Sequence, residues 1–328
     1  MRTLTLALML ALSGCGGGGS TSTSTPIPPP IPSGSIEREI SPLTIDPRVD
    51  TATEPHVAIT PATNVSAAHR LFVFLPGTQG IPDYYRLVLR SGAARGYHAL
   101  GLNYPNSEAV GVTCALRSSD CFWDVRYEVL TGSDSSPLVE VGEADAITTR
   151  LAKAIAYLHQ NHPDEGWDQF LSGGLVDWSK IVVGGHSQGG GHAGVMSKLH
   201  AMAGACYFSS PADWSVIDQA PASWTARTNL TPTERQYGFG NVHDTLVKYD
   251  ELIQIWAAIG LTAFGAPVSV DSTDSFGGTH LLTTAVPGNG DSDLLSPEHG
   301  STVLDLATPM TADGQPVFDP VWAYMCFR

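Results

Sequence analysis

The sequence predicts an α/β domain: a mostly parallel sheet with flanking helices and a long loop insertion over one edge. Three observations predict it. From about residue 55 onward, short apolar runs of strand length alternate with stretches of helical spacing. Glu143 to Asn161 is a long amphipathic segment with Ile147, Leu151, Ile155 and Leu158 at three- and four-residue steps. At Lys180 to Gly194 (KIVVGGHSQGGGHAG) an apolar strand runs through a glycine-bounded turn into a small-residue helix start.

Taken from the start, residues 1–15 read as a targeting segment outside the fold. Arg2 supplies the positive end, and Leu4 to Leu12 is apolar but too short to span a bilayer. Leu12-Ser13-Gly14-Cys15 resembles the lipobox of bacterial lipoproteins, which implies lipidation of Cys15. The alternative is an ordinary secretory signal cut elsewhere. Gly16 rather than aspartate after the cysteine implies, by that resemblance, sorting to the outer membrane of the cell envelope, with the domain facing the periplasm or exterior. Residues 16–35 (GGGGSTSTSTPIPPPIPSGS) cannot bury a core and read as a tether, flexible where Gly and Ser dominate and stiffer where Pro does.

Residues 36–328 suit one large domain. The formal charge is −15 with four lysines in the chain, which favours solubility and argues against nucleic acid or an anionic lipid face as partner. Glycine (34) and proline (23) are abundant while apolar content is ordinary, so ordered loops are expected rather than disorder. A monomer is expected, its membrane contact made through the N-terminal lipid alone.

With Cys15 lipidated, Cys114, Cys121, Cys206 and Cys326 remain, an even number that outside the cytoplasm reads as a disulfide framework. Cys114 and Cys121 flank a short loop and form the favoured pair. Cys206 and Cys326 would then join a core strand to the C-terminal helix, with a free buried thiol at Cys206 as the alternative. No cysteine or histidine spacing suits a metal, and no cofactor is expected.

The expected strands are His56–Thr60, Arg70–Leu75, Tyr97–Tyr104, Ile181–Val183, Ala205–Ser209, Gln236–Gly240 and, last, Pro267–Asp271. Helices are expected over Asp83–Arg95, Glu143–Asn161, Asp250–Ile259 and Val317–Phe327. Between them Asn106–Glu140 is a long excursion with Phe122, Trp123, Arg126 and Tyr127, a candidate substrate cover to which Trp214 and Trp224 could add. Packing of these aromatics in a satellite core is the competing expectation.

Gly185-His186-Ser187-Gln188-Gly189 is a G-x-S-x-G sequence in strand–turn–helix context. A serine hydroxyl is a weak nucleophile and must be lifted clear of the sheet for a base to take its proton. Glycines at 185 and 189 remove side chains that would collide in so tight a turn, and the following helix aims N–H groups at a developing oxyanion. No G-x-G-x-x-G frame fits residues 184–191, and no Lys-Ser/Thr pair follows, so dinucleotide and P-loop readings fail. The segment resembles the alpha/beta-hydrolase superfamily, in particular its serine esterases and lipases, over about residues 55–328.

The resemblance implies an alpha/beta-hydrolase fold and further site residues. Pro76-Gly77-Thr78 stands where related esterases carry His-Gly-x, so the Thr78 N–H would pair with that of Gln188 as the oxyanion hole, with Gln79 as substitute for Thr78. The superfamily order of serine, acid, histidine points to Asp244 after the Gln236 strand, with Asp213 as runner-up. For the base, His299 in Pro-Glu-His-Gly-Ser is preferred as a mobile loop residue over His280 in GGTHLLTT, which reads as extended. His186 is expected to flank the site and His192 to pack the helix.

The leading function is therefore an exported serine hydrolase cleaving small or polymeric carboxylic esters through an acyl-enzyme. A peptidase or amidase using the same triad is the second reading. A non-catalytic binding protein on the same scaffold is the third, and it has no use for a strained serine.

Overall fold

The computed structural model describes residues 33–273, 275–290 and 296–328. The expected leader with Cys15, and most of the tether, lie outside the described residues. Nine strands form one sheet: β1 Ile36–Ile40, β2 His56–Thr60, β3 Leu71–Leu75, β4 His98–Gly101, β5 Ile181–His186, β6 Gly204–Phe208, β7 Gln236–Asn241, β8 Val268–Ser269 and β9 Leu281–Thr284. Their order is β1-β2-β4-β3-β5-β6-β7-β9-β8. The pairs from β4 to β8 are parallel, whereas β1–β2 and β2–β4 are antiparallel. The fold is thus an α/β fold with a mixed, mostly parallel sheet.

The central strands read as continuous apolar runs because both faces are covered. In β3, Leu71, Val73 and Leu75 pack into one layer and Phe72 and Phe74 into the other. The first layer holds α3 (Cys121–Thr131), α4 (Ile147–Asn161), α5 (Gln188–Leu199) and α6 (Tyr249–Ile259). The second holds α1 (Arg86–Ala93) and α8 (Asp319–Cys326). Of the short helices, α2 (Val110–Cys114) and α7 (Pro297–Ser301) are one-turn pieces at the sheet's carboxyl edge, and a further one-turn helix spans Pro42–Ile45 after β1. All five β3 side chains are fully buried, each contributing about 1.5–3 kcal/mol relative to exposure.

Several expectations are corrected. The helix expected over Asp83–Arg95 begins as a 3₁₀ turn at Pro82–Tyr85, so α1 proper starts at Arg86. Pro267–Asp271 is not the last strand: only Val268–Ser269 pairs, at the sheet's far edge, and Leu281–Thr284 is inserted inside it. Burial decides this, since all four residues of β9 are buried and neither residue of β8 is. The excursion from Asn106 is not a plain loop but carries α2 and α3. Cys114 is paired with Cys121, tying α2 to α3, and Cys206 of β6 is paired with Cys326 of α8. Among the described residues, no helix is long and apolar enough to cross a membrane.

Candidate active site

Because β3, β5 and β7 run parallel, the residues that follow them emerge at one edge of the sheet. Gly77 follows β3, Ser187 follows β5 and Asp244 follows β7.

Ser187 sits at φ 51°, ψ −116°, between the end of β5 and the first residue of α5. A non-glycine residue at positive φ is strained backbone, held only where its surroundings over-determine it. Here they do so by crowding. A Cβ on Gly189 would meet the Leu75 carbonyl oxygen at 2.0 Å, and one on Gly185 would meet the Gly189 carbonyl carbon at 2.3 Å. The Ser187 N–H donates to the Phe208 carbonyl at 3.0 Å, fixing the turn to β6.

His299 lies on α7, which Ser296 caps by accepting the His299 N–H at 3.4 Å. The expected free loop is therefore a short capped helix, and the imidazole is more fixed than a loop would leave it. Its Nδ1–H donates to Asp244 Oδ2 at 2.7 Å. The other carboxylate oxygen, Oδ1, accepts the N–H groups of Leu246 (2.8 Å) and Val247 (3.0 Å). With both oxygens engaged, the Asp244 carboxylate has a single orientation.

The peptide of His299 is held just as firmly. Its carbonyl accepts from the Ser209 hydroxyl at 2.8 Å and from His186 Nε2–H at 3.0 Å. Because a carbonyl only accepts, the His186 proton sits on Nε2, and Nδ1 is left to accept from the Tyr85 hydroxyl at 2.9 Å. The Tyr85 oxygen accepts in turn from the Gly77 N–H at 3.2 Å. A single chain of hydrogen bonds thus runs from the Gly77 turn through Tyr85 and His186 to the backbone of His299. Burial pushes the His186 ring down to about 3, so it stays neutral and keeps this direction. The His186 and His299 rings are 4.7 Å apart between centroids.

Across the turn, the Thr78 hydroxyl donates to Gln188 Oε1 at 2.9 Å, joining the two residues expected to hold an oxyanion. The Gln188 N–H is at the first position of α5, where no intrahelical acceptor exists. Among the described residues nothing accepts from the Thr78 N–H. Gln79 does not serve as the substitute: its N–H is spent on the Asn106 carbonyl at 3.0 Å. Asn106 also donates to the carbonyls of Gly77 (2.7 Å) and Gly80 (2.8 Å), which ties both ends of that turn to one side chain.

The two alternative residues lie elsewhere. His280 immediately precedes β9, at the amino edge of the sheet, with its ring stacked on Phe264 and Nδ1 within 2.9 Å of the Gln236 carbonyl. Asp213 is fully buried, in a bidentate ion pair with Arg126 and accepting from Trp224 Nε1–H at 2.7 Å. Arg126 also donates to the Gln188 carbonyl at 2.9 Å, so this cluster supports the underside of the turn. Trp224 is core, as is Phe122; Trp123 is half-buried between Tyr127 and Arg227. His192 packs inside against Tyr104, 5.2 Å between centroids.

A scan against models of known protein families finds no match to this chain, and a search of curated proteins finds none either. Sequence reasoning missed Tyr85 and Asn106 as parts of the site. Neither carries a motif; both act through hydrogen bonds to residues 8 to 101 positions away on other strands or turns. The one available signal was the placement of both just after β3 and β4, in the turns that must meet the serine.

Proposed function

We propose that the chain is a serine hydrolase of the alpha/beta-hydrolase type that cleaves carboxylic esters through an acyl-enzyme. The observation that carries the reading is the 2.7 Å bond between Asp244 and His299, whose ring lies 4.7 Å between centroids from that of His186, the residue before a serine at positive φ. His299 Nε2 takes the proton from Ser187 Oγ as Oγ attacks the ester carbonyl carbon. The negative charge that forms on the carbonyl oxygen is received by the N–H groups of Gln188 and Thr78. The tetrahedral intermediate then collapses, the carbon–oxygen bond to the alcohol breaks, and His299 gives its proton to that alcohol. Water, losing a proton to His299, attacks the acyl carbon; the bond from that carbon to Ser187 Oγ then breaks, His299 returns the proton to Oγ, and the acid is released. Asp244 holds the Nδ1–H tautomer and stabilises the imidazolium without taking its proton.

The N-terminal leader extends the proposal to location: lipid on Cys15 anchors the enzyme to the bacterial envelope through the 16–35 tether. Cys15→Ser should leave the protein soluble or unprocessed. Membrane attachment unchanged in that variant would remove the anchor from the account. For the chemistry, a panel of p-nitrophenyl esters with the full chain is the direct test. Turnover abolished by Ser187→Ala supports the reading, and turnover retained at the wild-type rate contradicts it.

A further inference from the structure

The excursion between β4 and α4 encloses a cavity of about 400 Å³ at the carboxyl edge of the sheet. Its lining is mixed: aliphatic at Val110 of α2, Val125 and Val129 of α3, and Leu138, Val139 and Val141 of the following loop, and polar at Asn106, Ser107, Thr113 and Gln188. It is a built cavity. The Cys114–Cys121 disulfide joins the two helices that supply three of the valines. The buried Glu128 carboxylate pins the loop, accepting from Ser136 N–H at 2.8 Å and from Val141 N–H at 3.1 Å.

Gln188 connects this cavity to the serine. Its side chain lines the cavity, and Oε1 accepts the Val110 N–H at 3.1 Å while also accepting the Thr78 hydroxyl. The cavity therefore reaches the residue that follows Ser187 in sequence, while Ser187, Thr78 and His299 are not among its lining residues. Its side of the serine is fixed by the strand order β4-β3-β5-β6-β7. Asp244 and His299 stand toward β7, while the cavity lies over the β4 side, lined by Asn106 just beyond that strand.

This geometry decides which part of an ester enters. The histidine must hand its proton to the departing alcohol, so the alcohol leaves on the histidine side. The acyl chain lies opposite. Resting on the acyl transfer proposed at Ser187, we infer that the 110–141 cavity is the acyl pocket and that it selects uncharged acyl chains of medium length. Its volume accommodates about a dozen non-hydrogen atoms at the ~30 Å³ that a water-sized group occupies. Its charged lining residues, Glu108 and Glu140, are acidic and exposed, so a carboxylate on the acyl chain meets repulsion there.

The test is a chain-length profile with the purified full chain. In p-nitrophenyl esters, kcat/KM should rise about fourfold per added methylene from acetate, peaking near eight acyl carbons. Lengthening the alcohol of alkyl acetates from methyl to octyl should change kcat/KM by less than about threefold, since the cavity takes the acyl side. Val129→Phe and Val139→Trp should each move the optimum to about four carbons and lower the octanoate-to-acetate ratio of kcat/KM by about 100-fold or more, because each fills part of the cavity. Should Val129→Phe fail to fold, Val139→Trp, at a half-buried loop position, carries the test. A small fluorophosphonate that labels Ser187 in every variant confirms an intact serine. Acetate as the best wild-type substrate, a profile unchanged by the folded variants, or length dependence in the alcohol series would each overturn the pocket. Failure of the wild type to be labelled would instead overturn acyl transfer itself, and the pocket's substrate with it.

Discussion

Asp244 and His299 are 55 residues apart in sequence and 2.7 Å apart between Oδ2 and Nδ1. Nothing local brings them together: one follows β7 and the other is on a helix capped by its own serine. The pairing is set by the sheet and by His186, which ties the His299 carbonyl to the residue next to Ser187. Ester turnover should therefore fall by about 10^4-fold or more in both Ser187→Ala and His299→Ala. Asp244→Asn should lose less than either, by about one to two orders of magnitude, since the imidazole keeps its place but loses its orienting charge. Equal losses in Asp244→Asn and His299→Ala would show that the carboxylate does more than orient.

His280→Ala should keep turnover within about tenfold, because that ring sits at the opposite edge of the sheet from Ser187. Asp213→Ala should behave differently again. It leaves the Arg126 guanidinium buried without its partner, so thermal unfolding should show a loss of about 3–5 kcal/mol. A dead but fully stable Asp213 variant would assign it a role in the chemistry that the geometry does not give it.

Much of the fold was legible from residues alone. β2 was expected over exactly its observed span, and β3, β5 and β7 shifted by a few residues, because buried parallel strands are short apolar runs bounded by glycine, proline or polar residues. β1 was missed since Ile36–Ile40 sets three consecutive charged residues between two isoleucines and buries only its last residue. The helices of the excursion were missed for a physical reason. α3 turns Arg126 and Glu128 inward, where the ion pair with Asp213 and the loop N–H groups satisfy them, so its apolar period is broken. Ser187 and Asp244 were legible from motif and position. The Tyr85–His186 connection was not, because it exists only once two strands have paired.

The glycines of α5 give a sharp packing prediction. A Cβ on Gly191 would land 2.1 Å from Arg126 Nη2, and that guanidinium cannot move without breaking its buried pair. Gly191→Ala should destabilise the protein by about 3 kcal/mol or more, measured by urea unfolding. Gly142→Ala is the control, as its Cβ meets nothing within 4 Å, and it should be close to neutral.

Stability should fall on mild acidification. His56 Nδ1 accepts the Asn103 N–H at 2.9 Å, and His186 Nδ1 accepts from Tyr85, so both rings must stay neutral to keep these bonds. Burial pushes both down to about 3 from the usual 6.5. Below pH 6.5 the unfolded chain takes up protons that the folded protein refuses, so this stability is present at neutral pH and lost as pH falls from 6.5 toward 3. The loss is about 1.4 kcal/mol per pH unit for each ring, or about 4 kcal/mol for the two between pH 6.5 and 5. Urea midpoints at pH 7 and 5 measure it. His56→Gln, which keeps an acceptor, should reduce the slope by one ring's share, about 1.4 kcal/mol per pH unit. A wild-type midpoint independent of pH over that range would contradict the buried neutral assignment.

The central claim is that Ser187 is a nucleophile activated by His299. Covalent labelling by a fluorophosphonate, with the modified peptide located by mass spectrometry, measures this most directly. The account predicts labelling at Ser187 alone in the wild type, none in Ser187→Ala, and labelling slowed by orders of magnitude in His299→Ala. Labelling that persists in Ser187→Ala, or that proceeds at the wild-type rate in His299→Ala, would contradict it.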